Sequence, residues 1–283
     1  MIKKKQKGFV NFKQLFLFAK QNYFVTVIAL CVLFVGVVSV YKLFIAKPTY
    51  VYVKVKVGQG LWWANTAKPS MWFIQAIQSA KEEKDLTGSV IAKIINVTYY
   101  PWWGVGQFDT YVTARLKVSK IGKDAKYNFK RSTIGIGAPI DFEFNSVQFS
   151  GTVIELYEKP PTEKKIEKIV TLVKQGGYNK DSPYFYENIK TGDKYFNGEE
   201  VVFEVLDKRL DKQLWIITNN LTAETFEREI DTNKNIIVKA KVKCVLKNGQ
   251  CFFAEEQILI PGRDLSAATP NFFLNSFTVV KVE

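Results

Sequence analysis

The stretch Tyr23-Phe-Val-Thr-Val-Ile-Ala-Leu-Cys-Val-Leu-Phe-Val-Gly-Val-Val-Ser-Val-Tyr41 decides how the rest of the chain is read. It lies in a 21-residue run, Gln21 to Tyr41, that holds no charge. About 20 apolar residues suffice for a helix to cross the hydrocarbon core of a bilayer. A buried core helix rarely stays apolar all round over so long a run. A transmembrane helix is therefore expected, in an anchor extending over residues 21–46. Lys3, Lys4, Lys5, Lys7, Lys13 and Lys20 precede it with no acidic residue among them, and only Lys42 and Lys47 follow closely. By the positive-inside rule residues 1–20 are a cytoplasmic basic tail, and everything after the helix is exported. A cleaved signal would be shorter and end in small residues, whereas this run continues into Tyr41-Lys-Leu-Phe-Ile-Ala46, so an uncleaved signal anchor is expected.

Beyond Pro48 the pattern changes. Tyr50-Val-Tyr-Val-Lys-Val-Lys-Val57 alternates along a β-branched run, the mark of a half-buried strand. Similar runs occupy Ser89–Thr98, Asp109–Val118, Pro139–Phe144, Val147–Leu156, Glu199–Val205, Leu214–Thr218, Asn235–Leu246, Cys251–Ile260 and Phe272–Val282. Between them, Thr162 to Lys174 has Ile166, Ile169, Val170 and Val173 at i, i+3, i+4 and i+7, with Thr162 to cap it and Gly176-Gly177 to end it; this spacing predicts a helix.

That segment separates two stretches that resemble each other. Tyr111-Val-Thr-Ala-Arg-Leu-Lys-Val118 matches Ile237-Val-Lys-Ala-Lys-Val-Lys-Cys244, and Trp72-Phe73 with Ile77 matches Tyr184-Phe185 with Ile189. Gly88 precedes a strand as Gly198 does, and Gly151-Thr-Val-Ile-Glu-Leu156 answers Phe277-Thr-Val-Val-Lys-Val282. A preserved order with drifting offsets is the pattern of a duplicated β module with loop insertions. The expected fold is mainly β: a transmembrane helix, then two related small barrel- or sandwich-like modules with a few short helices. The modules fall at 48–157 and 182–283, joined by a linker with an amphipathic helix over 158–181.

The chain has 283 residues and a formal net charge of +13. Outside the first twenty residues the basic excess is small and interleaved, so no nucleic-acid partner is expected. There is no histidine. Its absence removes the commonest general base and every triad that needs one. Glu82-Glu83, Asp141 with Glu143, Glu199-Glu200 and Glu255-Glu256 read as solvated faces rather than acid–base pairs. Gly135-Ile-Gly137 lacks the third glycine and the helix of a phosphate loop. Neither an enzymatic activity nor a cofactor is expected, and no metal site.

Two features remain as candidate sites. Tyr99, Tyr100, Trp102 and Trp103 cluster around Pro101, and Leu61-Trp62-Trp63 forms a second cluster. Exposed, such rings would stack on sugar faces or insert at a membrane surface; buried, they plug a barrel end or the interface between modules. Cys244 and Cys251 flank the tight-turn pair Asn248-Gly249 as diagonal neighbours. Diagonal positions lie about 7–8 Å apart, beyond ordinary disulfide reach unless the hairpin twists, so a disulfide and two buried thiols both stand.

Ile134-Gly-Ile-Gly-Ala-Pro-Ile-Asp-Phe142, running to Phe149-Ser-Gly-Thr-Val-Ile-Glu155, resembles the closing segment of domain of unknown function 4330, found in membrane-anchored bacterial proteins. The resemblance covers the span and the second half of each module and implies no activity. Three readings follow: a non-catalytic interaction or scaffold module at the bacterial cytoplasmic membrane, an adaptor-like part of an export complex, or an envelope glycan-binding protein. The expected partners are the lipid bilayer with a protein partner or second copy, and a glycan under the third reading.

Overall fold

The computed structural model describes residues 20–41, 48–58, 68–102, 106–121, 126–181, 183–218 and 225–283. Residues 1–48 form one unit and 49–283 another. In the first, helix α1 (Tyr23–Val40) is apolar all round, and none of its residues is buried by protein. It is long and apolar enough to cross a membrane.

The second unit is mainly β and consists of two curled, eight-stranded antiparallel sheets that form half-barrels. The first holds β1 (Thr49–Val57), α2 (Met71–Ser79), β2 (Glu82–Lys84), β3 (Val90–Pro101), β4 (Phe108–Ile121), β5 (Lys126–Phe129), β6 (Ser132–Ile134), β7 (Pro139–Glu143) and β8 (Gln148–Tyr157). The second holds β9 (Lys165–Asn179), α3 (Tyr184–Asn188), β10 (Lys194–Phe196), β11 (Val201–Thr218), β12 (Thr225–Lys247), β13 (Gln250–Phe253), β14 (Gln257–Ile258), β15 (Asp264–Ala268) and β16 (Phe273–Val282). Their strand orders, β2-β3-β4-β1-β8-β7 and β10-β11-β12-β9-β16-β15, correspond element for element. The two-stranded extensions β5-β6 and β13-β14 hang from equivalent strands.

Each sheet is organised by its first strand, which lies between two others. In β1, Val51, Val53, Val55 and Val57 are all buried, pointing to one face as the alternating sequence requires. Val55 pairs with Val112 on one side and Val153 on the other. In β9 the equivalent place is taken by Leu172, between Val238 and Val279. Two separate cores result, one per sheet.

The predicted helix over Thr162–Lys174 is corrected by this arrangement. Lys165–Asn179 is the central strand of the second sheet. Its Ile, Val and Thr residues fit helical spacing and period two alike, and β-branched chains suit the pleat better. Hydrogen bonding to β12 and β16 on both sides outweighs any local helical preference. Gly176, read as a helix cap, sits at a register shift, where its amide donates to Asn235 Oδ1 at 2.9 Å. The second module therefore begins at Lys165, inside what reads as a linker over 158–181. Val201–Val205 of the run read from Glu199, and Leu214–Thr218, are parts of one strand, β11, with Glu199 and Glu200 in the turn before it.

Gly151 marks the closest approach in the first sheet. A Cβ there would lie 2.5 Å from both Lys56 O and Val55 Cγ1. Gly151→Ala is expected to lower unfolding free energy by about 1–3 kcal/mol, by forcing β8 from β1. Gly135→Ala, which meets open space, should stay within about 0.5 kcal/mol; urea unfolding of the two variants checks both.

Candidate functional site

On its outward face β1 carries Tyr52, Lys54 and Lys56, which the sequence pattern assigns to solvent. Lys54 is only 5% exposed. The second module covers it. Lys54 Nζ donates to Glu255 Oε1 at 2.8 Å and to Glu163, and Glu155 approaches at 3.8 Å. Lys247 completes the cluster, 2.6 Å from Glu155 and 3.2 Å from Glu255. A charge removed from water is stable only with such partners, so the lysine of one module requires the carboxylate of the other.

Glu255 and Glu256 reach this position because the β13–β14 turn carries them, with positive φ at Ala254 (49°) and Glu255 (69°). Glu256 binds Lys56 and accepts from the Tyr111 hydroxyl at 2.9 Å. A second turn grips the same surface. The Asn197 carbonyl accepts from the Tyr99 amide at 2.9 Å, and Asn197 Nδ2 donates to the Tyr100 hydroxyl at 3.0 Å. The Tyr195 hydroxyl donates to the Tyr99 carbonyl at 2.9 Å. Gly198 fits beneath the Tyr99 ring, where a Cβ would lie 2.7 Å from Cε1. Tyr100 meets Tyr111 and Phe253 edge-on, packing a ring of the first module against the core of the second.

Ionisation follows from these contacts. Burial works to lower the pKa of Lys54, but Glu255 and Glu163 outweigh it and hold the pKa above its ordinary value. Burial likewise disfavours the ionised forms of Glu155 and Glu256. Hydrogen bonds from Lys247 and Tyr157, with the charge of Lys54, still hold Glu155 below the usual carboxylate range, and Lys56 and Tyr111 do so for Glu256. Burial pushes the hydroxyls of Tyr100, Tyr111 and Tyr195 well above an ordinary phenol. They act as neutral hydrogen-bonding groups.

Beside the cluster lies a cavity of about 460 Å³, walled by Tyr52, Asn96 and Thr98, by Pro160 and Pro161 of the connecting segment, and by Val202 and Phe252. Each lysine lining it is ion-paired: Lys54 as above, Lys165 to Glu199 and Glu200, and Lys243 to Glu200. Apolar side chains and paired charges make up its walls, with no lysine among the described lining residues left unpaired. Among the described residues, no group of three or more His, Cys, Asp or Glu could hold a metal ion.

The structure brings Tyr99 and Tyr100 into this seam. Trp102 borders it, lining a hollow with Tyr111 of the first module and Ala254 and Glu256 of the second, half-buried under Lys68, whose Nζ lies 3.9 Å from the ring centroid. Trp103, Trp62 and Trp63 lie outside the described residues. Cys244 and Cys251 are joined as a disulfide, with Cα atoms 5.6 Å apart. Cys251 stands opposite Leu246, as the Asn248-Gly249 turn predicts, and the two cysteines lie closer than flat diagonal neighbours. Twist in a narrow ribbon shortens one diagonal. The bond ties β13 to β12 directly ahead of the turn bearing Glu255 and Glu256. No feature of the sequence marks Lys54 or Glu255 as partners, since 201 residues separate them. No family model matches the chain, and neither a curated protein nor a solved structure matches it.

Lys54→Ala leaves Glu255 buried with one partner fewer and should cost about 3–5 kcal/mol in urea unfolding. The lowered carboxylate pKa values of Glu155 and Glu256 give stability that is present above their ordinary 4.5 and lost as pH falls through the folded values. The raised value of Lys54 gives stability present below 10.5 and lost as pH rises through it. The urea midpoint should therefore hold a plateau between these limits and fall on both sides. Thiol labelling of the denatured chain without reductant should modify Cys31 alone, and reduction should expose all three cysteines.

Proposed function

We propose that this protein is a single-pass membrane protein whose two-module β body is a rigid, non-catalytic interaction or scaffold unit held outside the bacterial cytoplasmic membrane. The seam carries this reading. Two cores, each complete, are joined by a buried ion cluster, a disulfide-tied turn and tyrosine hydrogen bonds, which fix two exterior surfaces in one orientation. Rigid presentation lowers the ordering cost of binding. The matching strand order supports an origin by duplication of one β unit, with the resemblances between residues 111–118 and 237–244 falling on equivalent strands. The unburied apolar helix supports a membrane anchor, and the lysines of residues 1–20 support a cytoplasmic N-terminus. The resemblance to domain of unknown function 4330 belongs to the same proposal and adds no chemistry to it.

The helices offer equivalent exterior handles: Trp72 of α2 is 71% exposed and Tyr184 of α3 is 63% exposed. A photo-crosslinker placed at either position in cells should capture a discrete protein partner or a second copy. Capture of neither at both positions would contradict the interaction reading. Alkaline phosphatase fused after Glu283 should be active and a fluorescent protein fused there dark; the reverse pattern would place the β body in the cytoplasm.

A further inference from the structure

The end of the second module that grips the first has a counterpart on the first module, and that counterpart is uncovered. The chain enters the first sheet at Thr49, which pairs with Val118. Past that pair, β4 runs on to Ile121 and carries β5 and β6 beyond the start of β1. The β2–β3 turn lies at the same end, since Ala92 pairs with Leu116. In the second module the same pieces form the seam. Lys130 and Arg131 occupy the β5–β6 turn with φ of 47° and 72°, as Ala254 and Glu255 do in theirs with 49° and 69°. Asp85 caps its turn by accepting from the amides of Thr87 and Ser89, as Asn197 does from Glu199 and Glu200.

The chemistry of the two ends is opposite. The second module offers Glu255 and Glu256 to lysines. On the first, half-buried Lys117 and exposed Lys130 and Arg131 line an open hollow of about 500 Å³ together with Asp85, and exposed Lys120 and Lys126 stand on the strands beside it. Of the carboxylates around them, Asp85 is engaged in its turn and Glu158 with the Tyr127 hydroxyl, while Glu83 pairs with Lys130, which exposed Glu143 also approaches at 3.9 Å, so the cations left for an anion are Lys117, Lys120, Lys126 and Arg131. Leu86 projects fully exposed from the β2–β3 turn.

We propose that this end of the first module docks on an anionic phospholipid surface, with the basic side chains at the phosphates and Leu86 entering the interface. The proposal rests on the membrane-anchor reading. Only seven residues separate Tyr41 from Thr49, and the eight Cα–Cα steps between them reach at most about 28 Å. The tether thus confines the end of the module where the chain enters to the neighbourhood of the bilayer. Basic residues near an anionic surface are attracted within a Debye length, and a single apolar side chain adds depth.

The test uses the full chain in nanodiscs of pure phosphatidylcholine and of phosphatidylcholine with phosphatidylglycerol, followed by amide hydrogen exchange. Exchange over residues 84–91 and 117–134 is expected to slow about fivefold or more in the anionic discs alone. High salt should reverse the effect in the unmodified chain, as should the paired substitution Lys126→Glu and Arg131→Glu. Equal exchange in both discs would overturn the docking while leaving the anchor standing. Failure to incorporate into either disc would overturn both.

Discussion

A lysine taken out of water constrains the whole β body. Lys54 lies on the strand that organises the first sheet, and its ammonium group is neutralised mainly by residues outside that sheet, Glu163 and Glu255. An unpaired buried charge costs several kcal/mol, so the folded first module holds a demand that the connecting segment and the second module satisfy, through Glu163 and Glu255. The position of Glu255 depends in turn on a tight turn with two left-handed residues, held to β12 by the Cys244–Cys251 disulfide. Sheet, turn, disulfide and ion cluster form one chain of dependence, and the tyrosine contacts around Asn197 close it from the other edge.

Much of the fold is legible in the sequence because a curled sheet with one wet face imposes period two. The four valines of β1, the run Tyr111–Val118 and its counterpart Ile237–Cys244 all show it, and Asn248-Gly249 specifies its hairpin by backbone conformation alone. β9 is harder to read. Ile166, Ile169, Val170 and Val173 satisfy both periods, and what selects strand is the pair of open edges offered by β12 and β16, which no local window contains. Strands of two to five residues, such as β2, β5 and β14, are too short to carry a period at all.

The seam is less legible for a related reason. Lys54 and Lys56 occupy the polar positions of a half-buried strand, and the pattern assigns such positions to water correctly whenever nothing covers them. The cover comes from residues about a hundred to two hundred positions away. Only the aromatic residues hint at it: Tyr99 and Tyr100 stand at the end of a strand, and packing between modules is one of their two sequence readings. The disulfide is undecided by sequence because register fixes which residues are diagonal, whereas twist fixes how far apart they lie.

The two modules match in strand order and carry opposite charge at equivalent ends. The central claim is that the modules form one cooperative body through their seam. Hydrogen exchange of the full chain across a denaturant series tests it most directly, following peptides from the two cores, residues 111–118 and 237–244. One body predicts that both lose protection in a single transition at the same denaturant concentration. Two transitions at separate concentrations in the unmodified protein would contradict it.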